Sequence, residues 1–398
     1  MKEKRGGAHG DKKEIASPAA IFVLSDGIKG HENQSLGIAS WLSGSDVPVE
    51  VLRVPLTRGL SRFWRHKVSS RWLPSGSVET CRRWLEKNGG SGLIENVIKL
   101  MHKSGTPPEK TLFLSAGSSA APYCFALARF MKARCCTVMT PSVLGTDPFD
   151  FAVVPSHDKP KESENVYVTL GAPNMICHQL LEEEKERLAM RFPPKRQRKL
   201  GVLVGGDDKN YHLGPEWAEK LMKKILEAAN EAGADLYVTT SRRTLPETEK
   251  ILDEICRAHD AVRMILIASK EDWNPVPGML GLCGRILCTE DSVSMISEAA
   301  TAGHRPVVLR VDRKKSLPAC FGKLVFFLSS KGFVGENHLV GASKFEMMIK
   351  SFEERGLCLY LEDMEGLKEA LVDDGSRPDG DFNEARMAAE WILKRWNR

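Results

Sequence analysis

The sequence predicts an α/β protein made of two doubly wound, parallel-sheet domains facing each other across a cleft. Three observations carry that prediction. Short apolar runs alternate with helical stretches through almost the whole chain, as in parallel strands covered on both faces. The 398 residues are too many for one ordinary core, and two domains of roughly 150 to 200 residues suit that length. Around 181–199 the alternation stops in a charged, proline-bearing stretch, and after it the alternation resumes.

Taken in order, residues 1–17 are charged and contain glycine but no apolar core. They read as a disordered tail rather than a signal peptide. The first domain is expected over 18–190. Its first strand is 21–25, followed by a glycine-bearing turn at 26–34, a short helix at 35–42 and a strand at 48–54. Another strand at 111–115 leads through a small-residue turn, Ala116-Gly-Ser-Ser119, into a helix ending near Lys132. Strands at 136–139, 151–154 and 166–170 complete the set. The linker is expected at 191–199, where Phe192-Pro-Pro-Lys-Arg-Gln-Arg-Lys199 combines paired prolines with basic residues. The second domain, 200–375, repeats the plan with strands at 200–204, 236–239, 264–267, 286–289 and 307–311. In the last stretch, 376–398, Met387, Ala388, Trp391 and Ile392 fall at helical spacing. An amphipathic helix packing back on the body is expected there.

Composition excludes several classes. Lys and Arg number 57 against 52 Asp and Glu, a net +5 spread along the chain, too weak to indicate nucleic acid. The ten cysteines form no C-x-x-C pair and several sit in apolar runs, which points to reduced thiols and a cytoplasmic location. No apolar segment approaches the roughly 20 residues of a membrane span.

Ligands of open α/β sheets bind at the carboxyl ends of strands, so the turns there carry the candidates. The first is Asp26-Gly-Ile-Lys-Gly-His-Glu-Asn-Gln34. Gly27 and Gly30 let backbone N–H groups approach an anion, and Asn33 and Gln34 complete an acceptor-side loop. A histidine at a strand-to-helix turn can act as a base or hydrogen-bond donor, so His31 reads as a base, with Asp26 beside it; a purely structural turn is the alternative. The segment matches neither G-x-x-x-x-G-K-[ST] nor G-x-G-x-x-G. The second turn is Gly205-Gly206-Asp-Asp-Lys209, where paired glycines favour close backbone approach and Lys209 neutralises phosphate. The third, around Ser241, Arg242 and Arg243, offers forked guanidinium bonds to a diphosphate. The fourth follows the strand at 286–289. Asp291 or Ser292 is placed to cap the next helix, which Gly303 ends. Asp291, Ser294 and Glu298 share one helix face and Val293, Ile296 and Ala300 another. A carboxylate on the open face suits ribose or sugar hydroxyls, although a solvated helix residue accounts for Glu298 as well. Asp158 is a second candidate base. No H-x-x-x-H or H-E-x-x-H spacing occurs, so no metal site is expected.

Taken together, Ser25-Asp-Gly-Ile-Lys-Gly-His-Glu-Asn-Gln34, Val204-Gly-Gly-Asp-Asp-Lys209, Thr240-Ser-Arg-Arg-Thr244 and Thr289-Glu-Asp-Ser-Val-Ser-Met-Ile-Ser-Glu-Ala299 resemble the mitochondrial fission ELM1 family, also found in bacteria. Asp150-Phe-Ala-Val-Val-Pro-Ser-His-Asp158 and Thr169-Leu-Gly-Ala-Pro-Asn174 fit the same pattern, and the likeness spans about 20–395. The resemblance implies a GT-B-like fold, the arrangement of many nucleotide-sugar glycosyltransferases. It is more distantly similar to enzymes that add N-acetylglucosamine to lipid-linked murein precursors or build the lipid A disaccharide. By that likeness His31 matches the histidine of the N-terminal domain's glycine-rich turn, and Glu298 the acidic helix residue that holds the donor ribose.

The expected function is therefore a metal-independent glycosyltransferase. It would need no cofactor, use a nucleotide-diphosphate sugar as co-substrate and act on a lipid-linked or glycan acceptor. Two alternatives are an idle scaffold at a membrane and a nucleotide-sugar epimerase or hydrolase. The basic, aromatic stretch 53–73, with Phe63, Trp64 and Trp72, would rest on the inner membrane as a peripheral contact or serve as core anchors.

Overall fold

The computed structural model describes residues 17–43, 47–55, 66, 68–208, 210–314, 342–363, 365–372 and 381–396. In the first domain six strands form one sheet: β1 (Ala20–Ser25), β2 (Val49–Arg53), β3 (Thr111–Ala116), β4 (Arg134–Val138), β5 (Phe151–Pro155) and β6 (Val166–Thr169). Their order is β2-β1-β3-β4-β5-β6, with every pairing parallel. Alternate side chains leave opposite faces of a strand, and each face here has its own cover. Phe22, Leu24 and Phe113 pack beneath α2 (Val78–Lys87), α3 (Ser91–Ser104) and α4 (Ala121–Met131). Ile21, Val23, Leu112 and Leu114 pack beneath α1 (Lys29–Ser43). The Ser77 hydroxyl accepts from the Thr80 amide at 3.2 Å to start α2, and Gly105, at φ 63°, stops α3.

The second domain begins with α5 (His178–Arg191) and continues through β7 (Arg198–Leu203), β8 (Tyr211–His212), α6 (Pro215–Glu231), β9 (Ala234–Thr239), α7 (Pro246–Arg257), β10 (Val262–Leu266) and α8 (Val276–Leu282). It then runs through β11 (Arg285–Thr289), α9 (Val293–Thr301), β12 (Val307–Leu309), β13 (Asp312–Arg313), α10 (Ala342–Glu354), β14 (Leu359–Leu361) and α11 (Leu367–Val372). The parallel sheet has the order β10-β9-β7-β11-β12-β14, and β8 pairs with β13 in a separate antiparallel ribbon. Winding reverses between β1 and β3 in the first sheet and between β7 and β11 in the second. Crevices open at those two switch points.

Several boundaries differ from the sequence reading. The turn after β1 closes by Ile28 and α1 starts at Lys29, so Gly30, His31, Asn33 and Gln34 lie on the helix rather than in a loop. β14 was not anticipated, and the strand expected over 307–311 stops at Leu309. The chain crosses between the sheets at 170–177, whereas the sequence places the linker at 191–199. α5 packs on α8, where a Cβ on Gly278 or Gly281 would press into the backbone of Glu184 or Leu181, so glycine there lets the helices approach. Residues 191–199 then lead from α5 into β7.

The last helix, α12 (Glu384–Trp396), lies against α1 of the first domain. It buries Ala385, Ala388, Ala389, Ile392 and Trp396, while Met387, expected on the packed face, is 41% exposed. None of the described helices is long and apolar enough to cross a membrane. All nine described cysteines are free.

Candidate functional site

Three strand-end loops of the second domain are tied into one unit. After β7, Gly205 N donates to Thr289 Oγ1 (2.8 Å) and Gly206 N to Asp291 Oδ2 (2.9 Å). From the loop after β9, Arg243 donates to Gly206 O (3.1 Å) and to Asp291 Oδ2 (2.9 Å), and Thr244 Oγ1 donates to Gly205 O (2.6 Å). Thr289 Oγ1 completes the knot by donating to Asp291 Oδ1 at 2.6 Å. The glycines are required by space: a Cβ on Gly205 would overlap the Asp291 carboxylate, and one on Gly206 the Arg243 backbone.

This knot changes what several expected residues do. Asp291 is buried, and burial raises its carboxyl pKa even against the donors from Thr289, Gly206 and Arg243. Both its oxygens are occupied inside the protein, so it clamps loops rather than orienting ligand hydroxyls. Nor does it cap α9: Ser292 holds the N-cap position, and no side chain makes the capping bond. Ser241 closes its own turn, its hydroxyl accepting from Arg243 N (3.1 Å). Arg243 is anchored yet leaves 41% of its side chain exposed. Arg242 is exposed and has no polar partner among the described residues. Ser294 is half-buried on the first turn of α9, and Lys209 lies outside the described residues.

Glu298 occupies a different position. It is half-buried on α9 and borders a cleft of about 270 Å³, which Asn33 of the first domain also lines, together with Met175, Trp273 and Asn274. No hydrogen bond or ion pair reaches its carboxylate among the described residues. Burial among protein atoms pushes its pKa up to about 7.

The first domain presents His31 at its own switch point. Ser25 Oγ accepts from Gly27 N (3.0 Å) and donates to Glu32 Oε2 (2.8 Å), and Lys29 holds the other Glu32 oxygen at 2.7 Å. That bracing fixes the start of α1. Asp26 Oδ1 accepts from Ile28 N, and Asp26 Oδ2 lies 3.0 Å from His31 Nδ1. Burial opposes ionisation of Asp26, but the His31 ring and the Ile28 amide outweigh it and hold the carboxyl below its ordinary range. An ionised Asp26 accepts a hydrogen bond from Nδ1–H, leaving Nε2 as the basic nitrogen. The ring lies over Gly117, after β3, where a Cβ would come within 2.6 Å of it.

Asp158 does not join this pair. It ends a 3-10 turn after β5, which stands three strands from β1, a lateral separation of about 14 Å at ordinary strand spacing. That turn packs against α10 through His157 and Phe345. Of the basic, aromatic stretch, 56–65 and 67 lie outside the described residues, Phe63 and Trp64 among them. His66 is buried against Trp84 and Tyr123, whereas Trp72 is 67% exposed.

The sequence reading passed over Thr244, Thr289 and Glu32, whose roles depend on contacts between loops. It also missed a second histidine–carboxylate pair, in which His212 Nδ1 lies 2.9 Å from Asp207 Oδ2, with Lys314 Nζ at 3.0 Å. A signal for it was present, because Asp207 and His212 repeat the five-residue spacing of Asp26 and His31 after the first strand of each domain. Among the described residues no three His, Cys, Asp or Glu side chains gather as a metal site.

Comparison with known proteins sets this architecture in context. The structure of UDP-GlcNAc 2-epimerase from Methanocaldococcus jannaschii is similar over 94% of this chain and 98% of that one, with a TM-score of 0.52 and 13% identity. The glycosyltransferase SnogD from Streptomyces nogalater aligns over 95% and 99%, with a TM-score of 0.46 and 12% identity. The likeness to the epimerase is one of fold, and the two facing Rossmann-like domains are a GT-B arrangement. In sequence, the mitochondrial fission protein ELM1 of Arabidopsis thaliana is 21% identical over 374 residues, covering 80% of this chain and 84% of that protein. A model of that family matches residues 29–396, nearly the full length, and the chain belongs to the mitochondrial fission ELM1 family.

Proposed function

We propose that the cleft binds a nucleotide-diphosphate sugar and that the protein transfers the sugar to a hydroxyl acceptor. The observation that carries this reading is Glu298. It is a carboxylate without a partner among the described residues, at the edge of an interdomain cleft, on the helix that follows the switch-point strand, with Asn33 lining the same cleft. A buried-side carboxylate without a protein partner is costly unless a ligand satisfies it, and vicinal ribose hydroxyls are matched donors. The arginine loop and the start of α9 supply positive potential for the diphosphate. The Methanocaldococcus jannaschii protein of similar fold is a UDP-GlcNAc 2-epimerase, which supports the same substrate class.

In this reaction His31 Nε2 takes the acceptor's hydroxyl proton. The acceptor oxygen attacks the anomeric carbon, and the sugar–phosphate bond breaks with its electron pair leaving on the diphosphate. Arg242 and the exposed part of Arg243 offset that charge. Ile28, 53% exposed, and Met175, 41% exposed, give the acceptor side an apolar character, which suits a lipid-linked or glycan acceptor with an apolar portion.

The test is calorimetric titration with UDP, GDP and CMP sugars. One of them is expected to bind, and Glu298→Ala to weaken it by about tenfold or more, the loss of a charge-assisted hydrogen bond, without lowering the melting temperature. Failure of the whole set to bind would overturn the reading in favour of a non-catalytic scaffold. Donor breakdown without acceptor product would instead indicate an epimerase or hydrolase.

A further inference from the structure

Four helices, two of them bordering the cleft, meet on one short stretch of chain, 170–174. Glu384, at the start of α12, accepts from Leu170 N (2.6 Å) and Gly171 N (3.3 Å). Phe352 of α10 presses on Gly171, and Ser297 of α9 accepts from Ala172 N at 3.0 Å. Asn174, only 4% exposed, makes the most specific bonds. Its Nδ2 donates to Thr301 Oγ1 on α9 (2.9 Å) and to Ala172 O (3.2 Å), while its Oδ1 accepts from Ile176 N (3.0 Å). Its backbone carbonyl lies against Gly37 of α1, so closely that a Cβ on Gly37 would overlap it.

We infer that Asn174 is a positioning residue that fixes the spacing between the helix bearing His31 and the helix bearing Glu298. The consequence for catalysis rests on the reading of the cleft as a nucleotide-sugar site; the pinning does not. On α1, Gly37 follows Asn33 by four residues, and on α9, Thr301 follows Glu298 by three, so each pinned point shares a face with a cleft residue. Thr301 Oγ1 donates its proton to Ser297 O at 2.8 Å, which leaves the oxygen free to accept from Asn174. Both amide hydrogens of Asn174 and its carbonyl oxygen are thereby used, and any rotation strands a buried polar group. The amide cannot shift by small degrees, so α9 is held to one register against the crossing segment, whose main chain at Asn174 in turn abuts α1 at Gly37.

Hydrogen exchange read by mass spectrometry on the ligand-free protein tests the pinning, using Thr301→Val and Thr301→Ser. Valine preserves shape but removes the acceptor for the Asn174 amide. Exchange is expected to quicken in peptides covering 293–301 and also in those covering 29–37, across the domain boundary, with Thr301→Ser restoring wild-type rates at both. Faster exchange confined to 293–301 would overturn the inference. A second arm reads nucleotide-sugar affinity, expected to fall about tenfold in Thr301→Val through loss of one buried hydrogen bond and to recover in Thr301→Ser. Unchanged affinity in a Thr301→Val protein that exchanges faster at 29–37 would overturn the consequence for the cleft while supporting the pinning. If no nucleotide sugar binds the wild type, the functional proposal falls alone, and the exchange arm still decides this one.

Discussion

Glu298 and His31 have opposite surroundings, and that contrast sets their chemistry. His31 is held by Asp26, itself kept ionised by donated hydrogen bonds, whereas Glu298 has no donor among the described residues and burial raises its pKa to about 7. A carboxyl whose folded pKa exceeds its unfolded value of 4.5 holds its proton more tightly when folded. It therefore lowers stability as pH climbs from 4.5 to about 7, and the full penalty stands above that window. Glu298→Gln should flatten that part of the stability profile, as read by urea denaturation between pH 5 and pH 8. Ribose hydroxyls donate to the ionised form, so nucleotide-sugar affinity should rise through pH 7, and binding below it should release a proton. Calorimetry at pH 6.5 in buffers of different ionisation enthalpy measures that release, and a heat independent of buffer would count against Glu298 as the ribose ligand. His31→Ala should act differently, depressing turnover by about a hundredfold or more while leaving donor affinity within a few-fold.

At the scale of elements, the knot of loops 205–207, 241–244 and 289–291 explains which parts of the site were legible beforehand. Each loop announced itself locally, through paired glycines, paired arginines or a strand-to-helix turn. Their mutual bonds did not, because Asp291 serves Gly206 and Arg243 across 85 and 48 positions of sequence. A carboxylate on an apparently open helix face thus became an internal clamp. The start of α1 misled for a related reason: Gly30 weakens helical propensity locally, and the brace of Ser25, Lys29 and Glu32 that overrides it forms only once β1 is in place. β14, with three residues and no alternating pattern, carried too little periodicity to register. The knot yields its own prediction. Gly206→Ala drives a methyl group into the Arg243 backbone, which has no flexible end to move aside. The variant should lose about 1–3 kcal/mol of stability and bind nucleotide sugar more weakly than Glu298→Ala, both measurable on one purified protein. A fully stable variant with intact binding would show that the loops separate readily.

For the whole molecule, the pattern of strands and helices sufficed to anticipate two facing doubly wound domains, since sheet type follows from apolar runs that neighbour relations merely arrange. Where the chain passes between domains was harder to read. α5 is charged on its outer face and looks like part of a linker, yet it seats on α8 through Gly278 and Gly281. The return crossing is equally consequential, because α11 packs with the second domain and α12 with the first. Trp396 closes that return. It is 4% exposed, stacks on Phe151 at 5.9 Å between ring centroids, and lies under the Arg134 guanidinium at 4.7 Å. Trp396→Ala should therefore destabilise the protein by about 3–5 kcal/mol, the range for a large buried aromatic. The loss should fall first on the first domain, whose sheet face at Ile21, Val23 and Phe151 the last helix covers. Hydrogen exchange should accelerate in peptides from α1 and β1 before those from β7 and β11. Equal acceleration in both sheets would mean that the domains unfold as one unit, with α12 a shared tie rather than a cover for the first.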